Sequence, residues 1–85
     1  MKKRLKIYKM NWQYITSNPQ ILEGKPIIKG TRISVALILE WIANGSSINE
    51  ITFEFPQLSR EAIQEALHYA AQRSRNEFFY EIKVA

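Results

Sequence analysis

The chain has 85 residues, 46% hydrophobic and 24% charged, with three Pro and three Gly, which is the size and composition of one globular domain. It has no Cys and one His, which excludes a disulfide framework, a thiolate metal site and a multi-His metal site. The net charge of +4 is unevenly spread: Lys2, Lys3, Arg4, Lys6 and Lys9 lie in the first nine positions without an acid, and the remainder holds seven bases against eight acids.

Residues 1–11 therefore read as a cationic arm on a near-neutral body. Such an arm can contact phosphates, and it can equally be a solvated leader. It lacks the apolar stretch of a secretory signal. The longest apolar run, Val35–Leu39, falls far short of the roughly 20 residues of a membrane span. A cytoplasmic protein without a membrane partner is the expectation.

Residues 12–76 read as the domain, opening with short strands over 12–33. Trp12, Tyr14 and Ile15 favour extended structure, as do Ile27-Ile28 and Thr31-Arg32-Ile33. Ser17-Asn18-Pro19, Glu23-Gly24-Lys25-Pro26 and Lys29-Gly30 break the run into a hairpin or small meander. From Ser34 the period changes. Ser34 is an N-cap for a helix over 35–44, which Gly45 ends. That helix is apolar almost all round, so it needs covering on most faces, by the core or by a second subunit.

Ser47 and Glu50 spell a capping box for a helix over 48–54, stopped by Pro56. Ser59 caps a third helix over 60–76, with Ala62, Ile63, Ala66, Leu67, Ala70 and Ala71 at helical spacing. The second and third helices, joined across Phe55–Leu58, suit a helix-turn-helix. Residues 77–85 form an aromatic tail that continues the helix, pairs as a strand or meets a partner.

Two stretches carry a family resemblance. Ile15-Thr16-Ser17-Asn18-Pro19 is followed by Leu22, Gly24-Lys25-Pro26-Ile27-Ile28, Gly30-Thr31-Arg32-Ile33 and Val35. Later come Ile51, Phe55-Pro56, Leu58-Ser59, Ile63, Ala66-Leu67 and Tyr69-Ala70. Together they resemble the domain-of-unknown-function family 433 over residues 14–72, with Glu23 where that family usually has the first glycine of a Gly-Gly pair. The resemblance implies a mainly α fold: a homeodomain-like three-helix helix-turn-helix domain behind a small β-hairpin unit. It also implies a function, because members are often antitoxins of type II toxin–antitoxin pairs, paired with small PIN-like nucleases.

Candidate site residues follow. At 100° per residue, Arg60, Gln64, His68, Gln72 and Arg75 share one face of the third helix, and Arg and Gln pair with base edges. Glu61 and Glu65 flank that face and oppose phosphates, so a plain solvated face is the alternative. Lys3, Arg4 and Lys6 would follow a phosphate or minor groove. Arg32 either clamps a carboxylate, within the chain or across a subunit, or meets a phosphate. Gly24 and Gly30 lack the spacing of a phosphate loop and read as turns. Trp41 reads as core or dimer seam. Phe78, Phe79 and Tyr80 read as core or as anchors in a partner's groove. His68 lacks companions for metal binding or catalysis.

The expectation is thus a homodimeric antitoxin-like protein that binds a PIN-like nuclease toxin and autoregulatory double-stranded DNA. It is not expected to be an enzyme, or to take a cofactor or a small-molecule substrate. Two alternatives stay open: a stand-alone helix-turn-helix regulator, and an interaction module without DNA affinity.

Overall fold

Two short strands precede three helices in the computed structural model, which describes residues 12–84, with side chains through Arg75. The elements are β1 (Ile15–Thr16), β2 (Ile27–Ile28), α1 (Val35–Ala43), α2 (Ile48–Glu54) and α3 (Arg60–Val84). The fold is a mainly helical three-helix domain preceded by a two-stranded antiparallel sheet. The basic arm lies outside the described residues.

Pairing sets Ile15 opposite Ile28 and Thr16 opposite Ile27. Ser34 bridges Ile27 from the other side, so β2 is the centre of the unit. Pairs this short need outside support. Part of it comes from Thr31, whose hydroxyl donates to the Ile28 carbonyl at 2.8 Å and accepts from the Ile33 N–H at 2.9 Å. The rest comes from burial of Ile15, Ile27 and Ile28. Between the strands, Leu22–Gly24 forms a tight turn with three successive positive φ values: 49°, 57° and 82°. Glu23 thus adopts the left-handed conformation that glycine holds more cheaply.

The helix starts follow their caps. Leu37 N–H donates to Ser34 Oγ at 3.0 Å, and Ala62 N–H donates to Ser59 Oγ at 3.0 Å. The capping box closes in both directions, from Glu50 N–H to Ser47 Oγ at 3.0 Å and from Ser47 N–H to Glu50 Oε1 at 2.8 Å. One bound differs from expectation. Helix α3 runs to Val84 rather than stopping near Asn76, because no Gly or Pro follows Pro56 to end it.

The core is one cluster. Ile15 and Ile28 from the sheet meet Val35 and Ile38 of α1, Ile51 of α2, Leu58, and Ala62, Ile63 and Ala66 of α3. Ile38 and Ile63 are fully buried, which suits branched chains at a helix crossing. Ala71, expected on the buried face, is exposed: the core ends before it.

Candidate functional site

Helix α3 carries the residues expected to touch nucleic acid. Arg60, Gln64 and His68 are all exposed on it. Gln64 and His68 share a cleft with Glu61, Glu65 and the segment Trp12–Tyr14. Trp12 anchors that segment by meeting the Tyr69 ring edge-on, with centroids 5.1 Å apart. Tyr14 N–H donates to Glu65 Oε2 at 2.7 Å. Glu65 is therefore a structural acceptor that holds the start of β1 on α3, in addition to being an acid flanking a polar face. Its partner is 51 residues away, so no local pattern announced it.

Arg60 does not stand free. Its Nη2 donates to Asn49 Oδ1 of α2, which ties the first turn of α3 to the helix before it. Arg73 Cζ lies over the Tyr69 ring, 5.5 Å from its centroid, so Tyr69 is contacted by both Trp12, edge-on, and Arg73. Arg75 is exposed.

Arg32 is exposed and lines a shallow groove with Thr16, Ser17, Asn18 and Thr31. Its side chain makes no hydrogen bond among the described residues, so a clamp within the chain is not formed there. Thr31, next to it, closes the local turn instead, through the Ile28 carbonyl and the Ile33 N–H.

Trp41 is half-buried and stacks on Phe55, with rings 4.7 Å apart and 11° from parallel. Beside this pair runs a groove lined by Glu50, Ile51 and Glu54. Phe53 of α2 is 86% exposed, a feature that no sequence pattern singles out. A second groove, of about 350 Å³, lies between α1 and α3 and is mostly apolar, lined by Pro26, Val35, Ala36, Leu39, Tyr69 and Ala70. Lys25 and Arg73 stand on its rim. Phe78, Phe79 and Tyr80 belong to the helical part whose side chains lie outside the description.

Among the described residues no group of three or more His, Cys, Asp or Glu is placed to hold a metal ion. No helix among them is long and apolar enough to cross a membrane.

A family model described as "Protein of unknown function (DUF433)" matches residues 15–70. The chain belongs to this family. The uncharacterized protein y4eO of Sinorhizobium fredii (strain NBRC 101917 / NGR234) is 36% identical over 58 residues. That match covers 68% of this chain and 26% of the relative, so the chain spans about a quarter of the length of the relative it matches. Among solved structures, a DUF433 member from Anabaena variabilis ATCC 29413 has the same fold, with a TM-score of 0.69 and 27% identity. The match takes in 74% of this chain and 62% of that one. The matched family segment ends at Ala70, so the last turns of α3 lie outside it.

Proposed function

We propose that this DUF433 protein is antitoxin-like: a homodimer that holds a PIN-like nuclease toxin and binds its own regulatory double-stranded DNA. The observation that carries the DNA half is the position of Trp12. Trp12 packs on Tyr69 and shares a cleft with Gln64 and His68. Residue 12 directly follows the basic arm of residues 1–11, so the arm's point of attachment lies beside Gln64 and His68. Sequence reading by an exposed helix face with phosphate contacts from an arm is a known division of labour. The toxin half is supported by the family resemblance and by two aromatic features of the described residues, the exposed Phe53 and the Trp41–Phe55 pair.

The test is binding of the purified chain to duplex DNA from its own upstream region across a salt series. The expected result is an affinity that falls steeply with salt. Reversing the charge of Lys2, Lys3, Arg4 and Lys6 should flatten the slope by about 0.9 for each phosphate that is no longer neutralised. Absence of DNA binding at low salt overturns this half. For the other half, purification from native cells should bring down a small nuclease with a carboxylate-rich site, and the arm variant should still hold it. A dimer recovered alone overturns the toxin half and leaves a stand-alone regulator.

One observation favours a second reading, an interaction module without DNA affinity. Arg60 is committed to Asn49, and Glu61 shares the cleft with Gln64 and His68. The same salt series separates the two readings.

A further inference from the structure

Helix α3 has 25 residues, about 37 Å at 1.5 Å per residue, and among the side chains described, through Arg75, the last fully buried one is Ala66. Eighteen residues of helix follow that point. Most of a helix's stability in a protein comes from packing of one face, so this stretch gains from a surface to lie on. The groove between α1 and α3, lined by Ala36, Leu39, Tyr69 and Ala70, is such a surface, and it is unfilled among the described residues.

The chain's own tail cannot fill it. Within one continuous helix Tyr80 lies about 15 Å further along the axis than Ala70. The basic arm is an unsuitable occupant as well, because Lys25 and Arg73 on the rim repel its five cations. The spacing of α3 points to a different occupant. Ile63, Ala66, Ala70, Arg73, Glu77, Tyr80 and Val84 recur at alternating intervals of three and four, the heptad spacing that keeps residues on one seam. The first four of these belong to the face that meets the core and the groove.

We propose that the groove receives the C-terminal half of α3 from a second copy of this chain, in a reciprocal antiparallel exchange. The seam is self-complementary in that register. A two-fold axis beside Arg75 sets Glu77 of one copy opposite Arg73 of the other, and Tyr80 opposite Ala70. A large residue thus meets a small one and an acid meets a base. The exchange deepens the homodimer of the proposed function and rests on that reading. Phe78, Phe79 and Ile82 fall off this seam by their spacing, which leaves them for a different partner.

Sedimentation equilibrium of the purified chain, without DNA or any other protein, tests this. The full chain is expected to be a dimer. Ala36→Glu places an acid in the groove while adding a favourable acid to the first turn of α1, so the monomer keeps its fold and the dimer weakens about tenfold or more. Arg73→Glu and Glu77→Arg should each weaken the dimer about tenfold, and the two together should restore it. Ending the chain after Arg75 should give a monomer of unchanged helical core. A full-length chain that sediments as a monomer contradicts both the exchange and the homodimer. A dimer that persists in Ala36→Glu, with no rescue by the charge swap, contradicts the exchange alone.

Discussion

The two halves of α3 obey different rules. The first, Arg60 to Ala70, buries Ala62, Ile63 and Ala66 against α1, α2 and the sheet, and its start is capped by Ser59. The second begins with Ala71, Arg73, Ser74 and Arg75, all exposed, and continues to Val84. One half is held by its own domain. The other is helical because nothing in the sequence stops it. Along α3 the described buried side chains end at Ala66, just before the family match ends at Ala70.

Breaking the first half should have the largest effect. Ile63→Ala leaves a void at a fully buried site and should cost about 3–4 kcal/mol in urea unfolding, a large share of the stability of so small a domain. A loss below about 1 kcal/mol would mean that α3 does not centre the core. Next is Glu65→Ala, which removes the acceptor for Tyr14 N–H and should cost about 1–2 kcal/mol. It should also increase amide exchange over Trp12–Thr16, where an unrelated surface glutamate would have no effect.

Ser47→Ala opens the capping box of α2 and should lower stability by about 1 kcal/mol. Glu23→Gly should act in the opposite direction. At φ 57° glycine relieves a left-handed residue, and after its larger unfolded-state entropy the net gain is about 0.5 kcal/mol. A drop in melting temperature for that variant would show that the Glu23 side chain makes up for its backbone. The smallest effect on the fold is expected from ending the chain after Arg75. Measured at concentrations below dimerisation, it should change unfolding by less than about 0.5 kcal/mol.

Local chemistry is legible in the chain. Ser34, Ser47 with Glu50, and Ser59 each announce a helix start because a cap needs only its own next three residues. Gly24 and Gly30 mark turns and do adopt positive φ. The family resemblance sets the order of elements. What stays hidden is long-range. The tie of Glu65 to Tyr14, and the exposure of Phe53 on a helix that buries Ile51, depend on how distant elements meet. Arg32 illustrates a related difficulty: an arginine beside a turn invites a clamp, yet Thr31 satisfies the turn and leaves the guanidinium in solvent. The end of α3 escapes a local reading because Phe78-Phe79-Tyr80 favour strands, and that preference is weak against a helix already propagating.

Amide hydrogen exchange read along α3 at several protein concentrations addresses the contrast most directly. Strong protection over Ile63–Ala70 is expected at every concentration. Beyond Asn76, protection should appear only as the protein dimerises and vanish in Ala36→Glu. Concentration-independent protection of the C-terminal half, equal to that of the first half, would contradict the division of α3 into a domain half and an interaction half.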